Sequence, residues 1–163
     1  MDKKLQNVFN DQIKNELASG YLYLSMAAWF EAANLEGFAH WMKVQVKEEE
    51  NHAMKMFDFL NDRGVRVVLQ AIPQPEIEFS SVKEIFEKTL AHEKKVTALI
   101  NKLYELSKSI DDYPASAFLQ WFITEQVEEE KNATKILETI KMIKGDGSAA
   151  LIMLDRELAK REG

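Results

Sequence analysis

The sequence predicts an all-α fold: a bundle of four long helices, with a long crossover between helices 2 and 3 and a short fifth helix at the C-terminal end. Three observations predict it. The 163 residues hold only six Gly and three Pro while 46% are apolar, a composition suited to long helices with short breaks. In four separate stretches, apolar residues recur at alternating steps of four and three, the period of a helix with one buried face. The one long stretch without that period, 65–80, contains two of the three prolines.

The first helix, about 5–33, carries the stripe Phe9, Ile13, Glu16, Gly20, Tyr23, Ala27 and Phe30. Asn34-Leu35-Glu36-Gly37 then breaks the pattern with a turn residue at each end. The second, about 38–63, carries Phe38, Met42, Gln45, Glu49, His52, Met56 and Phe59 and stops at Gly64, a natural C-cap. Met42, Met54 and Met56 read as core filling. The stretch 65–80 is long enough to cross a bundle, which sets helices two and three parallel. Its exposed Val and Ile are expected to be covered by a partner.

Ser80 or Ser81 caps the third helix, 81–109, with Glu84 placed for a capping box from Ser81. Its stripe is Val82, Phe86, Thr89, Glu93, Val96, Ile100 and Leu103. Asp111-Asp112-Tyr113-Pro114 makes the next turn, with Pro near the start of the fourth helix, 113–144. The two acids are candidates for lining a cation entry, because clustered carboxylates focus cations. The fourth stripe is read as Phe118, Phe122, Glu125, Glu129, Asn132, Ile136 and Ile143, ended by Gly145-Asp146-Gly147-Ser148. A fifth helix, 149–160, presents Leu151, Leu154 and Leu158 on one face and is too short to stand alone in water. One domain, 1–163, is the expected organisation.

A net charge of -6 with no basic tract argues against nucleic acid as the main partner. The absence of cysteine excludes disulfides and thiolate metal sites. No apolar run approaches membrane-spanning length, and the first residues lack the apolar core of a signal peptide. A soluble, cytoplasmic protein with no membrane partner is expected.

Each long stripe has an acid at its middle. Glu49 and His52, three residues apart, converge one turn apart on an otherwise apolar face. No Lys or Arg on that stripe meets Glu49, and a bare buried carboxylate loses on the order of several kcal/mol of hydration. A metal ion is the simplest partner. The spacings repeat: Glu16 to Glu49 and Glu93 to Gln126 are both 33 residues, and one offset of 77 also places Glu129 against His52. An oxygen-rich set with one imidazole suits iron or manganese better than zinc. His92-Glu93 is not followed by the second His of the zinc-peptidase motif. The plainer alternatives are a buried polar network without metal, a solvated face for each EEE run, and ordinary core aromatics for Tyr23 and Trp121.

Asn15-Glu16-Leu17-Ala18-Ser19 with Tyr21 and Tyr23, Glu49-x-x-His52, His92-Glu93 and Glu125-Gln126-Val127-Glu128-Glu129 together resemble the bacterial and archaeal non-haem ferritins. The resemblance runs from the first helix through the fifth. It implies a ferritin-like fold and a di-iron ferroxidase centre. In that centre Glu16, Glu49 and His52 bind one iron, Glu49 bridges, and Glu93 and Glu129 hold the second beside Gln126. It further implies a third iron site at Glu48, Glu125 and Glu128 with Glu129, a site tyrosine at Tyr23, and an electron-donating aromatic at Trp121. Ferrous iron and dioxygen would be the substrates, and a homo-oligomeric cage of 24 subunits would store the ferric mineral.

The haem-containing relatives carry Glu-x-x-His in both halves and a haem-binding Met in the first. Here the second half reads Gln126-x-x-Glu129, and Glu50 and Asn51 fill the first, so no haem is expected. A rubrerythrin-type oxidase would need a Cys-rich iron domain. The remaining alternatives are a di-iron oxidase or peroxidase of the same superfamily without bulk storage, and a metal-free helical interaction module.

Overall fold

The computed structural model describes residues 1–144 and 148–163. It contains α1 (Lys3–Ala32), α2 (Glu36–Asp62), α3 (Val82–Ser109), α4 (Tyr113–Met142) and α5 (Ser148–Leu158). The expected elements are all present, with ends displaced by one or two residues. The Gly145-Asp146-Gly147 stop lies outside the described residues. Helices α1 and α2 pack as one pair and α3 and α4 as another; α1 also packs on α3, and α5 on α2.

The capping chemistry is local. Asp2 opens α1 by accepting the N–H of Lys4 and Leu5. Ser81 opens α3 by accepting from Glu84 N–H at 3.1 Å. Glu84 reaches back one residue further than a capping box requires, onto the N–H and hydroxyl of Ser80. Asp112 opens α4 through Ala115 N–H at 3.1 Å and also takes both arms of Arg63, at 2.9 and 3.2 Å. Those bonds hold the Asp112 carboxyl below its ordinary range, chiefly through Arg63. The expected role of this turn as a cation entry is therefore corrected for Asp112: its carboxylate is already engaged by a helix end and a guanidinium.

Gly37, a turn residue by its sequence context, is instead helical. It lies in the first turn of α2, where an added Cβ would fall 1.7 Å from the Asp155 carbonyl oxygen of α5. Leu35, the N-cap, has no side chain with which to cap α2. Asp155 supplies the missing acceptor, taking Phe38 N–H at 2.9 Å. Thus the short fifth helix caps the second, and a glycine makes the approach possible.

Residues 65–80 form no regular helix or strand and run along α1. Val68 N–H donates to Asn10 and Gln70 to Asp11 near one end, while Ser25 donates to the Glu76 carbonyl near the other. From residue 11 to 25 a helix rises about 21 Å, and from 70 to 76 an extended chain covers about 20 Å. The crossover therefore spans this length of α1, and α2 and α3 run parallel as expected. Val65 and Phe79 anchor its ends in the core, while Val68, Leu69, Ile72 and Ile77 stand exposed.

The apolar interior is in two parts. Leu5, Phe9, Ile13, Met56, Leu60, Ile100, Leu119 and Phe122 belong to one. Phe30, Phe38, Trp41, Met42, Phe86, Ile136, Ile140 and Leu158 belong to the other. Met42 and Met56 fill core as expected, whereas Met54 is exposed. Between the two parts lies a layer of buried polar side chains.

Candidate metal centre

That layer holds Gln12, Glu16, Gln45, Glu49, His52, Glu93, Gln126 and Glu129, each at most 4% exposed. Helical spacing places them at mid-stripe. On α4 the buried series is Ala115, Leu119, Phe122, Gln126, Glu129, Ala133, Ile136 and Ile140. This corrects the expected stripe by one position at several points. Gln126 turns inward, and Glu125 and Asn132 lie at the half-buried edge.

On one side of the layer, Glu16, Glu49 and His52 offer one ligand atom each, all within 4.8 Å of one another. His52 Nδ1 lies 3.9 Å from Glu16 Oε2 and 3.8 Å from Glu49 Oε2. Gln12 donates to Glu16 Oε1 at 2.8 Å, but Glu16 Oε2 is buried with no hydrogen-bond partner among the described residues. Burial, then the charge of Glu49, pushes Glu16 well above the usual carboxylate range. Burial, then repulsion from Glu93 and Glu129, does the same to Glu49.

On the other side, the Tyr23 hydroxyl donates to Glu93 Oε1, and Gln126 Nε2 donates to Glu93 Oε2 at 3.2 Å. Burial raises Glu93 against those two bonds, and burial with the charge of Glu93 raises Glu129 to about 8. The Tyr23 hydroxyl is raised well above its ordinary value by burial and by Glu93. Gln45 joins the sides, donating to Glu129 Oε2 at 2.7 Å and Glu49 Oε1 at 3.4 Å.

The residues present fit a cation. An orphaned carboxylate oxygen on Glu16, three further carboxylates held above their ordinary range, and an imidazole within 4 Å of Glu16 and Glu49 form a donor set short of positive charge. The set is oxygen with one nitrogen, which suits iron or manganese.

The expected third group is only partly assembled. His52, Glu125 and Glu129 converge, with His52 Nε2 3.9 Å from Glu125 Oε1. Glu48 pairs with Arg161 and Glu128 is exposed, so in this structure the compact group consists of His52, Glu125 and Glu129. Trp121 is 40% exposed, meets His52 edge-on at 5.5 Å between ring centroids, and carries the Lys55 ammonium over its face. His92 is no part of the layer; it bonds Ser19 at 2.7 Å and meets Tyr23 edge-on, and burial lowers it to about 4.

Three contributors lie outside the motifs that the sequence marks. Gln12 and Gln45 each stand four residues before a buried Glu, the same 33 residues apart as Glu16 and Glu49. That recurrence was available as a signal. Arg161 had none, because its contacts arise from the docking of α5.

A helical bundle crossed at mid-height by buried glutamates around a single histidine, without thiolates, defines a protein with a carboxylate-rich metal centre. Comparison makes the assignment specific. The model of the family described as Ferritin-like domain matches residues 6–143, and the chain belongs to the ferritin family, whose function is iron storage, with Glu16, Glu49 and His52 as its candidate ferroxidase site. The chain is 39% identical over 161 residues to the bacterial non-heme ferritin of Staphylococcus saprophyticus, covering 99% of this chain and 96% of that protein. It is 37% identical over 161 residues to that of Staphylococcus aureus, with the same coverage. Among solved structures, it superposes on an open pore ferritin from the archaeon Archaeoglobus fulgidus with a TM-score of 0.97, 44% identity and 99% of each chain covered.

Proposed function

We propose that this chain is a ferroxidase as well as an iron-storage protein: it oxidises ferrous iron with dioxygen at the buried layer and passes ferric iron to a mineral inside a cage of its own copies. The observation that carries the reading is the unpaired, buried Glu16 Oε2 beside Glu49 and His52. Iron is substrate here. Glu16, Glu49 and His52 would bind one ferrous ion, and Glu93 and Glu129 a second, with Glu49 as the shared ligand. Each ferrous ion supplies one electron to dioxygen.

The chain's own residues prepare that step. Gln12 and Gln45 orient Glu16 and Glu49, while Tyr23 and Gln126 orient Glu93. The apolar parts above and below exclude bulk water from the layer. The raised carboxyls hold protons that entering cations displace. Trp121, in edge contact with His52, is the proposed additional electron donor, and Glu48, Glu125 and Glu128 with Glu129 the proposed third iron site.

The exposed apolar crossover and the exposed Ile152 and Met153 of α5 support a homo-oligomer, for which the family relation suggests 24 copies. We also place the protein in the cytoplasm as a single domain spanning 1–163, free of haem. Among the described residues, no helix is long and apolar enough to cross a membrane. An anaerobic ferrous titration of the purified protein, followed by air and an absorbance trace, tests the reading. Saturable binding and oxidation faster than in buffer are expected. Failure to bind ferrous iron would favour a metal-free helical module. Light scattering from a stable 18.8 kDa monomer at micromolar concentration would exclude the cage.

A further inference from the structure

The residues after α5 return to the edge of the metal layer. Arg161 lies over the Trp41 ring at 4.4 Å, and its Nη1 donates to the Trp41 carbonyl at 3.2 Å and to Gln45 Oε1 at 3.0 Å. Its Nη2 donates to Glu48 Oε2. The main chain is fixed separately, because His40 Nε2 donates to the Arg161 carbonyl at 2.7 Å and Asp155 caps α2. Gln45 carries the contact inward to Glu129 and Glu49. The same guanidinium thus touches an acid expected to bind a third metal and the amide that orients two others.

We propose that Arg161 is a built-in counter-cation that withholds Glu48 from metal: iron gathered by Glu125 and Glu129 recruits Glu48 only by displacing the guanidinium. This rests on the reading of the layer as an iron-oxidising centre. A carboxylate oxygen engaged by a guanidinium is not free to complete the first shell of a divalent ion. Glu48 is 36% exposed at its side chain and Arg161 17%, so the pair is partly screened and weak enough for a divalent ion to break. Anchored through His40, the tail need not undock for the side chain to swing away. The consequence is order. The third group fills last, when ferrous load is high, and Arg161 returns as iron leaves for the cavity.

The test is anaerobic ferrous calorimetry on the assembled protein, with metal-soaked crystals as a second readout. In Arg161→Gln the third, weakest site should tighten about fivefold, the scale of a partly exposed ion pair; any change at the two tighter sites reports the lost bond to Gln45 and is read separately. Arg161→Lys, which keeps the charge, should stay within about twofold of wild type. Glu48→Gln combined with Arg161→Gln should lose the gain; a mere tail anchor would give the same affinity with or without Glu48. Wild-type crystals with the third group occupied should show Arg161 turned off Glu48. An occupied third group with the Arg161–Glu48 bond intact, or unchanged third-site affinity in a folded Arg161→Gln with normal tight sites, overturns the inference alone. Absence of tight ferrous binding in every form overturns it together with the reading of the centre.

Discussion

Metal that binds the layer's carboxyls in ionised form must release the protons they hold, and Glu129 makes one share of that release strongly pH-dependent near neutrality. Its carboxyl is raised to about 8, first by burial and then by Glu93, so at pH 7.0 about nine in ten copies carry a proton. At pH 8.5 about one in four does. Binding that requires the carboxylate therefore releases about 0.7 proton fewer from Glu129 at pH 8.5 than at pH 7.0. The lost protonation also strengthens apparent affinity at the second site about eightfold over that interval. Anaerobic ferrous calorimetry in two buffers of different ionisation enthalpy gives the proton count directly. Glu129→Gln should reduce the difference in release between the two pH values by about that 0.7 proton, leaving whatever the other raised carboxyls of the layer contribute. Zero release at pH 7.0 would mean that the carboxylates are already ionised in the apo protein, and the argument for a site short of positive charge would fail.

The same carboxyls fix the sign of apo stability. A carboxyl raised in the folded state adds stability that is complete below its unfolded value and is lost as pH rises through the folded one. For Glu129 the window runs from about 4.5 to about 8, with a slope of at most about 1.4 kcal/mol per pH unit. The apo protein should melt lower at pH 8 than at pH 5, and saturating ferrous iron held anaerobically should remove most of that fall.

Other outcomes follow from particular contacts. His52→Ala removes the only nitrogen ligand and should slow rapid ferrous oxidation by at least about tenfold, with circular dichroism and assembly unchanged; wild-type rates in a folded variant would contradict the centre. Gly37→Ala places a Cβ 1.7 Å from the Asp155 carbonyl oxygen and should cost about 1–3 kcal/mol through displacement of α5, read as a lowered melting temperature. The two sides of the layer should fill in sequence, the His52 side first, because imidazole is the stronger donor for ferrous iron and its Nδ1 faces Glu16 and Glu49, whereas Glu93 has the Gln126 amide and the Tyr23 hydroxyl beside it. Equal ferrous affinities at the two sites would defeat that argument.

What was legible in the sequence is what helical periodicity controls. Residues on one face of a helix are fixed by spacing, so Glu16, Glu49, His52 and Glu93 fall at mid-stripe and are buried there, and the first three converge. The fourth stripe slipped by one because the Glu125–Glu129 run offers two overlapping registers, and only packing decides which acid turns inward. Contacts between distant segments were not legible. Nothing local marks Asp155 as the cap of α2, Arg63 as the partner of Asp112, or Arg161 as the partner of Glu48. Each depends on where a whole helix or tail lands. Gly37 shows the same limit, since a glycine between two helices reads as a turn until the neighbour that needs its missing Cβ is in view.

The position of the layer ties folding to chemistry. It divides the interior into two apolar parts, so the bundle needs no continuous contact across the centre to hold its helices together. Each part can clamp its own end while the middle carries side chains that repel one another. A single cluster placed at mid-bundle would have left the acids at an open end, where water would screen them and lower the gain from binding a cation. Enclosed between two dry parts, the same acids are held above their ordinary range by burial and mutual repulsion, which an entering cation relieves as it displaces protons. The duplicated Gln12–Glu16 and Gln45–Glu49 turns supply neutral donors that hold the carboxylates in place without satisfying their charge. An arginine or lysine at either amide position would have paired the acid and stabilised the apo fold, at the expense of the vacancy that a ferrous ion requires. Amides within the layer, with the Arg161 guanidinium kept at its rim on Glu48, are the arrangement expected of a centre that must bind iron and then give it up.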